Sequence, residues 1–245
     1  MKVADAIQFR IVARGELSQA LRAQMFQLLC GHFTNVSAEQ FSRDLAEKQM
    51  AIRLERAGEL VGFSTLRAFT TQCGGEEVNL IYSGDTIVTP SAWGSMALPR
   101  AWVAGVEELK ATLPPRRCFW LLLTSGFRTY RFLPVFWREF FPRFDAVTPA
   151  DAQQRLDQFA NELFGPQFDA ANGIVRFQQP QMLRNDLQQI PAGRESDPHV
   201  AFFLSRNPGF VHGDELVTIT EISDENLTAA GKRIVRANAN RCIHS

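Results

Sequence analysis

The sequence predicts an α/β chain built on one mixed sheet, with an elaboration toward its C-terminus. Three observations predict it. Strand-like segments alternate with stretches of helical apolar spacing through roughly the first 145 residues. The run Cys118 to Thr124 is almost continuously apolar, as expected of a sheet centre covered on both faces. The second half then turns Gln-, Pro-, Gly- and Asn-rich before strand-like segments return. A chain of 245 residues suits one large domain with an elaborated end. The expected divisions are a core over 1–145, a helical and irregular insertion over 146–198, and a closing β-hairpin with a C-terminal helix over 199–245.

Each element has its own signal. Ile7 to Ala13 reads as a strand. Leu17, Leu21, Met25, Leu28 and Leu29 follow at helical spacing, with Gly31 as the expected C-cap. Ser37 and Gln40 form a capping box for a second helix bearing Phe41 and Leu45. Ala51 to Arg56 and Leu60 to Phe69 flank Ala57-Gly58-Glu59 as a hairpin. Beyond Gly74-Gly75 comes a long strand, Glu77 to Val88, whose interior Gly84 marks a bulge or a close approach to the backbone.

After Pro90, Leu98, Trp102, Val106, Leu109 and Leu113 define an amphipathic helix that Pro114-Pro115 stop. An aromatic helix is expected from about Arg128 to Phe141, interrupted by Pro134. Thr148-Pro149-Ala150-Asp151 opens a helix carrying Leu156, Phe159 and Leu163, and Pro191 to Pro198 reads as exposed linker. Two closing strands, His199 to Leu204 and Glu215 to Ile222, precede a last helix using Leu227, Ala230 and Ile234.

Composition excludes several function classes. Lys+Arg and Asp+Glu are both 26, so a globally basic nucleic-acid binder is not expected. No apolar run approaches the roughly 18 residues of a membrane span, and the first residues lack a signal-peptide core, which points to a cytoplasmic protein with no membrane partner. Cys30, Cys73, Cys118 and Cys242 are scattered without a CxxC, and the four His show no ligand spacing, so neither disulfides nor a metal are expected. Ser125 lacks the G-x-S-x-G elbow of a hydrolase.

The order β-α-α-β-β-β-α-β-α, followed by late strands, resembles a divergent member of the GCN5-related N-acetyltransferase (GNAT) superfamily over about residues 7–145, with 199–222 closing the sheet. In that family the fourth strand ends in V-x-P-x-x-[RQ]-G-x-G-x-G/A, and the next helix receives the coenzyme A pyrophosphate, because free N–H groups at a helix start bind anions. Here Val88, Pro90 and Gly94 match, while Trp93, Met96 and Leu98 replace the Arg/Gln and the later glycines. Met96 and Trp93 are expected to crowd the pyrophosphate. The resemblance implies an N-acyltransferase moving an acyl group from a pantetheine thioester to a small-molecule amine. The donor is acyl-CoA or the phosphopantetheine of an acyl carrier protein.

By the same resemblance the fourth and fifth strands splay apart near Tyr82-Ser83-Gly84-Asp85. Asp85 is the expected base, since a carboxylate in a cleft is desolvated. Tyr130 is the expected acid, although the family's Tyr position falls nearer Phe132 or Leu133. Twenty Phe against two Tyr supports the choice, because both hydroxyl-bearing exceptions, Tyr82 and Tyr130, fall at the expected cleft. Val88, Gly94, Ser95, Arg128 and Arg131 are expected to hold the donor, and Tyr82, Ser83 and Trp93 the substrate. Arg116 to Arg143 contains six Arg against one acid, Glu139, and reads as a face for phosphate or an acidic carrier. The competing readings are a non-catalytic binding module, which the degenerate loop motivates, and an interaction domain without a small ligand.

Overall fold

In chain order the elements are β1 (Gln8–Ala13), α1 (Gln19–His32), β2 (Phe33–Thr34), α2 (Ala38–Ala46), β3 (Met50–Arg56), β4 (Glu59–Cys73), β5 (Glu76–Val88), α3 (Ala97–Lys110), β6 (Cys118–Thr124), α4 (Phe127–Tyr130) and α5 (Phe132–Phe136). Then follow α6 (Ala150–Phe164), β7 (Phe168–Asp169), β8 (Ile174–Val175), β9 (Met182–Leu183), α7 (Asn185–Gln188), α8 (Pro198–Arg206), β10 (Glu215–Glu221) and α9 (Ala229–Cys242). The computed structural model describes residues 6–194 and 196–242; His244 lies outside the described residues. One eight-stranded sheet runs β1-β3-β4-β5-β6-β10-β8-β7, and β2 pairs separately with β9. All its pairings are antiparallel except β5 with β6, which are parallel and joined by the crossover helix α3.

Local chemistry explains most boundaries. Ser18 and Ser37 cap α1 and α2 by accepting from Leu21 N–H and Gln40 N–H at 3.2 and 3.3 Å. The β3–β4 turn uses Ala57 and Gly58 at φ 50° and 85°, and Gly74 and Gly75 at 60° and 85° make β4–β5 a tight hairpin. All seven residues of β6 are buried.

Three sequence expectations are corrected. Gly31 is not a cap: α1 runs on to His32, because the chain passes directly into the extended β2 and needs no left-handed residue. The aromatic helix ends at Phe136, and the chain then runs extended to bridge Trp137 to Leu227 and Phe141 to Ile219, satisfying the edge of β10 beyond the short β8. His199 to Leu204 is not a closing strand but lies in α8, so β10 pairs with β6 and β8 and has no hairpin partner from that segment. Asp197 accepts from His199 N–H at 3.0 Å, Pro198 starts the helix, and Val200 and Phe203 are buried at helical spacing.

The sheet separates two apolar layers. On one face Met50, Ile52, Leu66, Ile81, Trp120 and Leu122 pack with α3, α8 and α9. On the other, α1 and α2 cover Ala51, Phe63 and Ile87, while α6 covers Val78, Leu80, Phe119 and Leu121. Between α2 and α6, over the β5–β6 junction, that second face stays open. No helix among the described residues is long and apolar enough to cross a membrane.

Candidate active site

β5 and β6 pair from Asn79–Cys118 to Ser83–Leu122 and then part, β5 continuing to Val88 beside β4. At that point the β4–β5 register shifts: Ser64 faces Thr86 but Leu66 faces Ser83, so Gly84 and Asp85 together oppose Thr65. A bulge reverses the alternation of side chains beyond it. Before it, Ile81 belongs to the α3 layer and Tyr82 to the α6 layer; after it, Ile87 faces the α1–α2 layer. Gly84 is required here, because a Cβ would stand 2.5 Å from both Lys48 Cε and Thr65 Oγ1.

A cavity opens on each side of the gap. The α3 side holds about 490 Å³, mostly apolar, reaching from Trp102 and Trp120 past Val88 and Gly94 to Leu187. The other side holds about 460 Å³, lined by Lys48, Tyr82, Asp85, Arg67 and Glu215 and by glutamines of the 167–181 segment. Ser83, Thr86, Leu122, Ser125 and Thr129 border both. The two cavities therefore share a wall at the strand junction.

Asp85 reaches the polar cavity because of the bulge. Burial pushes its carboxyl up to about 6, against the pull of the Lys48 ammonium. Glu215, at the start of β10, is pushed up to about 8, first by burial and then by the Asp85 charge. Lys48 is nearly buried; its Nζ donates to Asp44 O at 3.0 Å and lies 5.2 Å from the Tyr82 ring centre. Burial lowers its pKa, opposed first by Asp85. Burial likewise holds the Tyr82 phenol well above its ordinary value.

The expected acid is corrected. Tyr130 is fully buried among Phe140, Phe202 and Phe203, donates to Pro142 O at 3.0 Å and borders neither cavity. It is a core aromatic whose hydroxyl has found its partner.

The donor-side residues line the apolar cavity with their polar groups partly occupied. Val88 O accepts from Trp93 Nε1 at 2.8 Å and faces His32 Nε2 at 3.2 Å. The carbonyl expected to pair with a pantetheine amide is thus taken; the open edge of β5 lies nearer the bulge. Gly94 sits at φ 82°, and Ser95 Oγ accepts from Ala97 N–H at 3.1 Å, while Pro99 contributes no donor to the first turn of α3. Met96 is 42% exposed and does not line the cavity.

Arg128 stacks 4.1 Å over Trp93 and donates to Leu187 O and Gln189 O, and Arg131 pairs with Asp197 at 2.9 Å. Both arginines line the cavity while tying residues 183–194 and Asp197 across it. Arg116 and Arg117 pair with Glu77 and Glu221, and Arg143 with Asp145. The Arg-rich run is thus largely engaged within the chain.

Ser83 is 3% exposed, and its Oγ accepts from the indoles of Trp102 and Trp120, both at 2.9 Å. Sequence reasoning missed Lys48 and Glu215. Nothing local marks either one, since they stand 37 and 130 residues from Asp85 and reach it only through the sheet and α2.

No family model matches the sequence, and no curated protein matches it. Among solved structures the chain is similar to Escherichia coli ElaA, at 16% identity over 57% of this chain and 95% of that one, with a TM-score of 0.36. It is similar to a conserved protein of unknown function from Enterococcus faecalis V583, described as a probable N-acyltransferase, at 13% identity over 89% and 67%, TM-score 0.42. A GNAT-family acetyltransferase from Brucella melitensis in complex with acetyl-CoA is 16% identical over 51% and 81%, TM-score 0.35. At these values the likeness concerns the fold only, and the functional reading stands on the geometry of the site itself.

Proposed function

We propose that this protein is an N-acyltransferase that moves an acyl group from a pantetheine thioester to an amine. One observation carries the reading: an apolar and a polar cavity on opposite faces of the sheet share a wall where β5 and β6 part, with the raised carboxyl of Asp85 on the polar side. The acyl-pantetheine, as acyl-CoA, lies in the apolar cavity, and its amides pair with the open edge of β5 between the bulge and Val88 in the manner of an added strand.

The amine enters through the polar cavity. Asp85 takes a proton from the ammonium, directly or through one water, and the freed lone pair attacks the thioester carbon. A base near 6 is ionised at neutral pH yet basic enough to contribute on the order of 10²-fold to 10⁴-fold. Lys48 favours the ionised carboxylate. Glu215 holds its proton below about 8, so a second negative charge does not form beside Asp85 and the protonated carboxyl offers the acceptor a hydrogen bond.

Asp85→Asn should lower kcat for acyl transfer from acyl-CoA to a responsive amine by roughly 10²-fold while leaving acyl-CoA affinity unchanged. The wild-type rate should rise as pH passes about 6, and the variant should lose that limb. Unchanged turnover in the variant removes Asp85 from the mechanism. A non-catalytic binding module is the second reading, favoured by the first turn of α3, where Ser95 Oγ and Pro99 leave fewer N–H donors for a diphosphate. It requires that acyl-CoA bind without turnover on any amine of a broad panel.

A further inference from the structure

Removal of Tyr130 from the site leaves the departing sulfur without a partner, and the bulge suggests where one lies. In an uninterrupted strand Ser83 and Asp85, two apart, would share a face. The extra residue sends Asp85 to the polar side, whereas Ser83 bonds to Trp102 and Trp120 on the apolar side. The two polar side chains thus stand on opposite sides of the sheet, at the last β5–β6 pair.

The chemistry of Ser83 is narrowed by its partners. Two indole N–H groups occupy both acceptor positions of its oxygen, so the hydroxyl cannot act as a base or accept from a ligand. What remains is one O–H donor, and two donors on the same oxygen strengthen it through the chained hydrogen bonds. A purely structural role accounts for the indoles, since buried Trp N–H groups need an acceptor. It does not account for the place of Ser83 in the lining of the apolar cavity, beside the point where β5 and β6 part.

We propose that Ser83 is a catalytic residue whose hydroxyl donates a hydrogen bond to the sulfur of the thioester as the carbon–sulfur bond breaks. The proposal rests on the acyl-transfer reading. The ammonium gives its first proton through Asp85 to solvent before attack. The nitrogen then forms the new bond to the acyl carbon and loses its second proton to Asp85, and the electron pair of the broken carbon–sulfur bond goes to sulfur. Ser83 keeps its proton: a serine alkoxide is far more basic than a thiolate, so the hydroxyl stabilises the charge without transferring. The thiolate then takes a proton from solvent, to which Asp85 has released the one from the amine.

The test compares two donors in the full chain: an alkyl thioester such as acetyl-CoA, and an aryl thioester whose thiolate leaves readily without help. Ser83→Ala should lose roughly 10²-fold in kcat with the alkyl thioester and about tenfold less with the aryl one, the scale of one removed transition-state donor. KM for the donor should move little. Ser83→Thr, which keeps the hydroxyl, should retain most of the wild-type rate. The near-ultraviolet circular dichroism of the tryptophans reports whether the indole cluster is intact. If Ser83→Ala does not fold, Ser83→Cys, a poor donor of similar size, is read in the same way. Equal losses with both thioesters in a native-like variant, or no loss with either, overturns the proposal. A wild-type protein that transfers from neither thioester to any amine overturns acyl transfer itself, which is a different result.

Discussion

Glu215 and Asp85 show how one pair of carboxyls in a shared cavity takes two different states. Asp85 has the Lys48 ammonium beside it and ionises near 6; Glu215 is pushed to about 8 by burial and by the Asp85 charge. The consequence for stability has a definite sign. Between the ordinary carboxyl value of 4.5 and about 8, the folded protein holds a proton on Glu215 that the unfolded chain has released. Stability therefore falls as pH rises through that window. Glu215→Gln should remove this dependence and stabilise the protein at pH 8 by roughly 4 kcal/mol. Thermal melts from pH 5 to 8 check it: the variant should melt several degrees above wild type at the alkaline end and near it at the acid end. Parallel pH profiles for the two proteins would show that Glu215 is already ionised.

The bulge in β5 acts at the scale of the element. It turns Asp85 into the polar cavity, leaves Ser83 under the indoles, and brings Lys48 Cε against the space a side chain at Gly84 would need. Gly84→Ala should therefore push Lys48 away from Asp85 and strain Thr65, whose buried Oγ1 is already without a partner. Overpacking of this kind typically costs about 1–3 kcal/mol. Without the nearby ammonium, the acid limb of the pH–rate profile should move above 6. A variant as stable as wild type, with an unmoved limb, would mean that the strand can shift to accommodate the methyl. α8 carries the opposite lesson: His199 to Leu204 has strand-like composition, but the slot beside β10 is filled by β8 and Phe141. Asp197 and Pro198 then start a helix instead.

At the scale of the molecule, residues 183–194 cross the apolar cavity. This stretch, together with Asp197, is held by two arginines expected from the sequence to bind the donor. Arg131 pairs with Asp197, which is only 15% exposed, and Arg128 holds the carbonyls of Leu187 and Gln189. Arg131→Gln should leave Asp197 poorly compensated, at a cost of roughly 1–3 kcal/mol. Amide hydrogen exchange over 187–194 should speed up, and KM for acyl-CoA should rise several-fold while kcat stays close to wild type. An unchanged exchange pattern would assign the segment's order to Arg128 and the apolar contacts of Leu183 and Leu187.

The sequence by itself determined the alternation of elements, the capped start of α2, the buried β6 and the irregularity at Gly84. Each follows from neighbours a few residues apart: a serine three residues before an amide, an apolar run, a glycine within a strand. The place of Asp85 beside the bulge was legible for the same reason, since it adjoins that glycine. Only the tertiary structure decided that Tyr130 is a core residue, that Ser83 binds two indoles, that burial and Lys48 set the charge state of Asp85, and that burial and Asp85 set that of Glu215. It also decided that Met96 points to solvent and that the arginines bind their own chain. Those outcomes depend on which side chains the sheet brings within a few ångströms across tens of residues of sequence. Burial and charge act through that distance in space, and no local pattern records it.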